Sequence, residues 1–527
     1  MQRRTLLRSA IAGLGVFGVS RFASAADLQL ELNPEQPGPE ISPHLYGHFI
    51  EHLGGVIYDG IWVGKDSRIG NVNGIRKAFV DDMKSLGAPN LRWPGGCFAE
   101  GYHWRDGLGL AAKRPRTATY WGSQMPPELH GAEPNTFGTH EFIELCRLTG
   151  AQPYLAANVA SGSPAEFHDW FTYCNAPDGS ATLASERRVN GSPEPFNVRF
   201  WGVGNENWNC GGMMKPAEYA AHYRRFTSQV PPYGQPFFVA CGPRGHNADF
   251  GVPWTEGFFE GMQGTIGRPR IDGFSVHFYT DFRPTKVSSA ESTEDEWFAV
   301  LEKGLVLEKS IAANWSAMQK YKVASRVRFV IDEWGVWYNR SPEIAPGFQL
   351  AQVVTLRDAI HTGMHFDIFN RHADKIAMAN VAQTINCLHS LFLAHEDKYA
   401  RTPVFYVFDL YKPHMGAKSL NVANPAATGD IRRMISASAS VKDRDVTVTL
   451  TNPSVTGDRT VQLKIAGSRK PAEARARVLT HAAMNATNSL GKPEEVRLKA
   501  LAVQVARDAV AVTLPARSVS AITIRLA

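Results

Sequence analysis

Short apolar runs recur along most of this chain, with helical patterns between them. The runs lie near residues 45–50, 90–93, 153–158, 198–203, 237–241, 273–278, 328–331 and 365–369. Continuous apolar runs of this length are typical of parallel strands that are covered on both faces. The intervening segments with helical character include 75–86, 139–148, 217–230, 294–321 and 350–362. Eight strands alternating with helices predict the α/β class and, within it, a (β/α)8 TIM barrel.

The pattern changes after about residue 395, where short alternating stretches are separated by turn residues. They lie near residues 446–450, 461–465, 474–479, 503–505, 509–514 and 520–526. This pattern predicts a C-terminal all-β sandwich, jelly-roll-like in character. The alternating segment 28–32 is expected to add a strand to it. The expected divisions are a leader at 1–25, an N-terminal strand segment at 26–43, the barrel at 44–395 and the sandwich at 396–527.

The first 25 residues have the features of an export signal. Arg3 and Arg4 form a twin-arginine start, an apolar stretch follows at 11–19, and 23–25 offer a small-residue cleavage site. The apolar stretch is too short to span a bilayer, so no membrane attachment is expected after cleavage. The sequence therefore predicts a bacterial protein that is periplasmic or secreted.

Two of the apolar runs end in a carboxylate beside tryptophan and glycine. Glu206 lies in FWGVGNENW at 200–208, and Glu333 lies in FVIDEWG at 329–335. Chemistry in a parallel β/α barrel takes place at the C-terminal ends of the strands, so both carboxylates are expected at one rim. Two carboxylates facing each other are what glycoside hydrolysis requires, one as acid/base and one as nucleophile. The pair indicates a glycosidase.

Charge and motif content exclude several other classes. The formal charge of +6 falls to +2 once the four arginines of the leader are removed, and no run of Lys or Arg indicates nucleic-acid binding. The sequence has no H-E-x-x-H, dinucleotide-binding or P-loop motif, so neither a metal nor a cofactor is expected. The six cysteines show no C-x-x-C spacing, and most are expected to be small buried apolar side chains; whether any of them pair is left open.

Several segments together resemble the family 51 α-L-arabinofuranosidases of the retaining (β/α)8 glycosidase clan. The matching motifs, in chain order, are YGHFIEHLGG at 46–55, LRWPGGCF at 91–98, YHWRDG at 102–107, NTFGTHEF at 135–142, WGVGNENW at 201–208, SVHFYT at 275–280, DEWGVWY at 332–338 and AQTIN at 382–386. They cover most of the predicted barrel in the family's order. The C-terminal quarter is similar only as a β-sandwich.

The resemblance implies a role for each matching residue. Glu206 takes the acid/base role and Glu333 the nucleophile role. The residues expected to contact the sugar or these two carboxylates are Glu51, Arg92, Asn205, His277, Tyr279 and Gln383. Arg92 and Tyr279 would keep Glu333 ionised, Asn205 would bind the sugar 2-hydroxyl, and His277 would contact or orient Glu206. Glu51 and Gln383 would contact hydroxyls of the sugar.

Two further positions near the sugar have open interpretations. Trp121, in the loop between the second and third predicted strands, either walls the sugar site or packs locally. Cys97 stands where many family members carry an asparagine that contacts the sugar. A thiol is a poor hydrogen-bonding group, so that contact is expected to change, and with it the sugar preference.

The function implied is retaining exo-hydrolysis of terminal non-reducing α-L-arabinofuranosyl units from arabinose-containing plant polysaccharides or oligosaccharides. Within the same clan, a β-xylosidase or an endo-β-glucanase would use the same two glutamates. A non-catalytic carbohydrate-binding protein is the alternative from a different class, although the presence of both glutamates argues against it. A homo-oligomer is also possible for this family.

Overall fold

The computed structural model describes residues 27–264, 267, 269–283, 289–341, 350–422 and 429–527. The predicted leader at 1–25 lies outside these residues. None of the helices in the described ranges is long and apolar enough to cross a bilayer.

Eight parallel strands close into a barrel, which confirms the predicted fold class. The first to eighth barrel strands are Gly47–Phe49, Asn90–Trp93, Gln152–Ala157, Phe200–Val203, Phe237–Ala240, Gly273–Asp281, Arg328–Trp337 and Ile376–Val381. The eighth strand pairs with the first through Asn380 and Gly47, which closes the barrel. A layer of side chains fills the interior: Tyr154, Phe200, Val239, Val330 and Met378. The barrel is therefore packed below its rim rather than open as a pore.

Helices surround the barrel and cover its outer face. The α-helices are Lys77–Leu86, Thr139–Thr149, Pro164–Asn175, Thr182–Val189, Pro216–Thr227, Val252–Gly261, Glu294–Lys320, Leu356–Arg371 and Pro403–Tyr411. Two of them begin with N-terminal signals that are common in helices. Pro216 occupies the first turn of its helix, and Thr293 with Glu296 forms a capping box at the start of the longest one.

The eighth strand is not where the sequence placed it. Residues 365–369 lie inside the helix Leu356–Arg371, and the true strand is Ile376–Val381. Every residue from 356 to 370 is buried, because this helix is enclosed between the barrel and the C-terminal domain. Residues 365–369 are mostly apolar, and a short apolar run within a buried helix cannot be told from a buried strand by its periodicity. The helix predicted at 350–362 also begins later, at Leu356, after the cap at Thr355.

The C-terminal domain consists of two sheets packed face to face. One has the strand order Leu28–Leu32, Arg459–Ile465, Ala509–Leu514 and Val503–Val505. The other has the order Lys418–Leu420, Ser436–Lys442, Asp445–Asn452, Ser518–Leu526, Pro471–Thr480 and Leu498–Leu501. The N-terminal strand runs parallel to Arg459–Ile465. The two sheets enclose an apolar core separate from that of the barrel.

The described residues also form three short two-stranded sheets. They pair Asn71–Val72 with Ile75–Arg76, Thr117–Ala118 with Ala132–Glu133, and Phe392–His395 with Lys398–Arg401. The helix Pro403–Tyr411 follows the last of these, so helical structure continues beyond the boundary expected at 395. Buried polar contacts join the barrel helices to the sandwich: Asp367 accepts hydrogen bonds from Tyr411, Ser436 and Ser438.

Candidate active site

Glu333 lies near the end of the seventh barrel strand, where three polar side chains surround its carboxylate. Arg92 Nη1 donates to Oε1 at 2.8 Å, the Tyr279 hydroxyl donates to Oε2 at 2.7 Å, and His277 Nδ1 lies 3.6 Å from Oε2. Burial by itself favours the neutral acid, but the charges of His277 and Arg92 outweigh it and hold the pKa of Glu333 below its usual value. Glu333 is therefore an ionised carboxylate held in one orientation.

Asp332 and Glu333 are neighbours in the seventh strand, yet both side chains point into the barrel. Asp332 accepts hydrogen bonds from Tyr154 at 2.7 Å and Asn380 at 2.9 Å, beneath the carboxylate of Glu333. Successive side chains of a regular strand face opposite sides. The pairing of this strand with the eighth shifts register between Ile331 and Trp334, and such irregularities re-aim side chains next to active sites.

Glu206 lies beyond the end of the fourth strand, in a tight turn. Gly204 and Glu206 both have positive φ, at 89° and 44°. His277 Nδ1 lies 3.0 Å from Glu206 Oε1. Burial lowers the pKa of His277, but the charges of Glu333 and Glu206 overcome that effect and raise it, so His277 can donate to Glu206. One oxygen each of Glu206 and Glu333 lie within 4.8 Å of each other.

Arg92 connects the two ends of the site. Besides Glu333, its Nη2 donates to Asn205 Oδ1 at 2.5 Å, and its guanidinium stacks on the ring of Phe49 at 4.4 Å. Because the amide oxygen of Asn205 accepts from Arg92, its NH2 group must point the other way. That direction leads towards Gly96, where a Cβ, were one present, would lie 3.5 Å from Asn205 Nδ2.

Glu51, Gln383 and Trp121 meet at one side of this space. Glu51 accepts from the Phe98 amide at 3.0 Å, from Trp121 Nε1 at 2.8 Å and from Gln383 Nε2 at 2.9 Å. Burial and the nearby charge of Glu333 raise the pKa of Glu51 to about 7. Trp121, for which the sequence left two interpretations, thus contacts a predicted site residue through its indole nitrogen.

Gly96 leaves the room that a small sugar needs. A Cβ at this position would lie 2.9 Å from Glu333 Oε1, and 3.5 Å from both Asn205 Nδ2 and Glu51 Oε2. Three of the predicted site residues therefore surround one point that is free only because residue 96 has no side chain. Any larger residue here would occupy the space between the carboxylates of Glu333 and Glu51.

Cys97 differs from the free thiol that the sequence suggested. It forms a disulfide with Cys210, with the Cα atoms 5.6 Å apart, while Cys146, Cys174, Cys241 and Cys387 are buried and unpaired. The two halves lie 113 residues apart in the sequence, so no local spacing could have revealed the pair. The prediction for most cysteines holds, but that for Cys97 was wrong because the barrel brings the second and fourth strand ends together.

Glu100 is a buried carboxylate beside the site that sequence reasoning missed. It accepts hydrogen bonds from the Val159 and Ala160 amides at 2.7 Å each, from the Asn205 amide at 2.5 Å and from Asn207 Nδ2 at 2.9 Å. Burial raises its pKa to about 7. Nothing in the sequence around Glu100 distinguishes it from a solvated surface glutamate.

Among the residues that the structure describes, two sets of side chains could in principle meet at one cation. One is Glu206, His277 and Glu333; the other is Cys97, Glu206 and Cys210, whose sulfurs are joined in the disulfide. In the first set, Arg92 and Tyr279 already donate to the two oxygens of Glu333. A guanidinium in direct contact opposes the binding of a second positive charge.

Known proteins share both the sequence and the fold. The α-L-arabinofuranosidase 1 domain matches residues 82–233, and the α-L-arabinofuranosidase C-terminal domain matches residues 332–518. An intracellular exo-α-L-arabinofuranosidase of Bacteroides ovatus is 35% identical over 495 residues, which are 92% of this chain and 93% of that protein.

Solved structures agree with this assignment. The GH51 arabinofuranosidase from Xanthomonas axonopodis pv. citri superposes with a TM-score of 0.86 at 36% identity, over 94% of this chain and 99% of that one. The α-L-arabinofuranosidase from Thermotoga maritima, solved as an arabinose complex, gives 0.80 at 27% identity, with 94% and 99% covered. With motifs, domains and fold in agreement, this chain belongs to glycoside hydrolase family 51, the family of the α-L-arabinofuranosidases.

Proposed function

We propose that this protein removes terminal non-reducing α-L-arabinofuranosyl units by double displacement with retention of configuration. The observation that carries the proposal is that one oxygen of Glu206 and one oxygen of Glu333 lie within 4.8 Å of each other. Retaining glycosidases place their carboxyl groups about 5–5.5 Å apart, and inverting ones about 6.5–9.5 Å apart. The spacing here leaves no room for a water molecule between sugar and nucleophile.

In the first step, Glu333 attacks the anomeric carbon while Glu206 protonates the departing oxygen. Arg92 and Tyr279 keep Glu333 ionised and fix its position, so the attacking oxygen needs no reorientation. The products of this step are an arabinosyl ester on Glu333 and the free alcohol or shortened polymer. Glu206 is left as a carboxylate.

In the second step, the same Glu206 removes a proton from water, and that water attacks the anomeric carbon from the side the leaving group vacated. The bond to Glu333 breaks, arabinose is released, and both carboxyl groups return to their starting states. The Asn205 NH2 group, held by Arg92, would donate to the sugar 2-hydroxyl. Such contacts strengthen in the oxocarbenium-like transition states of both steps.

Glu51, Gln383 and Trp121 support recognition of a single terminal sugar. Gln383 and Trp121 each donate to Glu51 at one side of the proposed sugar space, and Glu51 and Gln383 are almost fully buried. Carboxylate and amide groups placed there can accept from and donate to the hydroxyls of one small ring. We therefore assign them to binding of the terminal sugar unit.

Initial rates on aryl α-L-arabinofuranoside, β-D-xylopyranoside and β-D-glucopyranoside test the proposal, with Glu333→Ala as control. Selective hydrolysis of the arabinofuranoside, lost in the variant, is the expected result. Preferred hydrolysis of the xyloside or glucoside would instead support the β-xylosidase or endo-β-glucanase alternative. A folded protein that hydrolyses none of them would favour a carbohydrate-binding role.

We also propose that the protein is exported to the periplasm or secreted. The twin-arginine start is one support, and the disulfide Cys97–Cys210 is a second, because disulfides persist in oxidising compartments. The relative from Bacteroides ovatus is by contrast named intracellular. Fractionation of cells that express the chain with Arg3→Lys and Arg4→Lys tests this: activity should move from the periplasm or medium into the cytoplasm. If the wild-type chain and the variant were found in the same fractions, this result would contradict export.

A homo-oligomer remains our expectation for the quaternary structure, supported by the family resemblance alone. Light scattering coupled to size-exclusion chromatography of the mature chain measures the mass directly. A mass equal to that of one chain would contradict the expectation.

A further inference from the structure

We propose that the turn Cys97–Gly101 positions Glu206 for proton transfer, through the disulfide Cys97–Cys210 and the buried carboxylate of Glu100. This inference rests on the acid/base role of Glu206 in the proposed function. It adds three positioning residues that contact Glu206 or its loop rather than the substrate.

The loop that carries Glu206 needs to be held from outside. Glu206 has a φ of 44°, a left-handed conformation that non-glycine residues rarely adopt. Its carbonyl oxygen accepts from the amides of Asn209 at 2.6 Å and Gly211 at 3.1 Å, so the loop turns back on itself. These bonds shape the loop but do not fix it relative to Glu333, which lies three strands away around the barrel. A conformation of this kind persists when the surroundings determine it.

Glu100 fixes the start of this loop. Its Oε1 accepts from the Asn205 amide and from Asn207 Nδ2, the residues on either side of Glu206. Its Oε2 accepts from Val159 and Ala160, which follow the third barrel strand. One carboxylate thus joins the third and fourth strand ends at a buried position.

The disulfide fixes the end of the same loop. Cys97 begins the turn that contains Glu100, and Cys210 follows Glu206 by four residues. Cys210 Sγ lies 3.7 Å from Glu206 Oε2, while His277 is bonded to Oε1. A disulfide sulfur carries no proton, so it limits the movement of Oε2 without binding it. The carboxylate is left with Oε2 free to exchange a proton with the leaving oxygen and with water.

Loosening the loop should impair proton transfer more than nucleophilic attack. A displacement of about 1 Å can cost roughly 100-fold in rate. A good leaving group departs without protonation, whereas a sugar or alkyl oxygen needs the acid. The value of kcat/KM reports the first irreversible step, so the loss should grow as the pKa of the leaving group rises.

The test uses the full-length mature enzyme with a series of aryl and alkyl α-L-arabinofuranosides. The variants are Glu100→Gln and the double variant Cys97→Ser/Cys210→Ser. Asp367→Asn is the matched control, because Asp367 is also a buried carboxylate with several donors but lies between the helix Leu356–Arg371 and the sandwich. We expect kcat/KM to fall about 10- to 100-fold for alkyl leaving groups and less than about threefold for dinitrophenyl in both site variants. The control should change thermal stability but not the dependence on leaving group.

Reduction of the wild-type enzyme gives the same measurement if a variant does not fold. The other four cysteines are buried and unpaired, so a phosphine reductant acts on Cys97–Cys210 alone. An equal loss for all leaving groups, or no loss in folded variants and reduced enzyme, would overturn the proposal. If Glu206→Ala itself showed no dependence on leaving group, the acid/base assignment would fail instead, and the two failures are thereby distinguished.

Discussion

The ends of the fourth and seventh barrel strands carry the two proposed catalytic carboxylates in contrasting surroundings. Glu333 is part of a strand ladder and is held by direct donors, Arg92 and Tyr279. Glu206 lies outside the ladder and its side chain is bonded to His277, while its loop is held through the backbone and the disulfide. A nucleophile has to stay ionised, so charged contacts to its oxygens suit it. An acid/base group changes protonation twice in each cycle, so support through the main chain leaves its carboxyl free.

The largest effect is expected when Glu333 is replaced. Glu333→Gln keeps the size of the side chain but removes the charge, so kcat/KM for an aryl α-L-arabinofuranoside should fall by about 10⁴-fold or more. Glu256→Gln replaces a partly exposed glutamate that is paired with Lys320, and this control should keep wild-type rates. A loss below about tenfold in a folded Glu333→Gln enzyme would contradict its role as nucleophile.

A smaller and more selective loss is expected for Glu206→Ala. General acid catalysis contributes about 10²–10⁴-fold, so kcat/KM should fall by that factor for alkyl leaving groups and far less for dinitrophenyl. Azide distinguishes the two strand ends: in Glu206→Ala it should form an arabinosyl azide of retained configuration, and in Glu333→Ala one of inverted configuration. NMR of the products checks this. The same configuration from both variants would show that the roles are not divided as described.

Removing one hydrogen-bond donor from Glu333 should reduce kcat/KM by less than either replacement above. Tyr279→Phe deletes the hydroxyl that donates to Oε2 and leaves Arg92 in place. A hydrogen bond to a charged group contributes about 1.5–3 kcal/mol, so kcat/KM should fall roughly 10- to 100-fold with little dependence on the leaving group. Tyr120→Phe, an exposed tyrosine in the loop before Trp121, serves as control. A loss that varied strongly with the leaving group would instead connect Tyr279 with Glu206.

His277 faces both carboxylates, and its replacement should act mainly on the pH profile. His277 and Arg92 lower the pKa of Glu333 against the effect of burial. In His277→Gln one of these charges is lost, so the pKa of Glu333 rises and activity is lost at a higher pH on the acid side. At the optimum the loss should stay below about tenfold, because glutamine can still donate to Glu206. If the acid side of the pH–activity profile stayed in place or moved to lower pH, this result would contradict the prediction. His395→Gln is the control and should leave the profile unchanged.

The barrel could be predicted from the sequence because its pattern is local. Seven of the eight strand positions follow from apolar runs, and the eighth failed because the helix Leu356–Arg371 is buried on every side. The position of Glu206 and Glu333 at one rim also follows from strand order. The direction in which a side chain points does not follow from strand order, since Asp332 and Glu333 face the same side only because of a register shift.

The resemblance implied the contacts of Arg92 and Tyr279 with Glu333 and of His277 with Glu206, but the other supporting contacts could not be predicted, because they join residues that are distant in the sequence. Arg92 and Asn205 are 113 residues apart, as are Cys97 and Cys210. Glu100 has no neighbour in the sequence that identifies it as buried, and its four donors come from two other strand ends. Contacts of this kind depend on closure of the barrel.

The most direct test of the account is to trap the covalent intermediate in Glu206→Ala. With a dinitrophenyl α-L-arabinofuranoside, the first step needs no acid, while the second lacks its base, so the arabinosyl-enzyme should accumulate. Acid quenching and peptide mass spectrometry should then find one arabinosyl group on the peptide that contains Glu333, and none in Glu206→Ala/Glu333→Gln. Arabinose attached to another residue, or turnover to a product of inverted configuration without any covalent enzyme, would contradict Glu333 as the nucleophile of a retaining arabinofuranosidase.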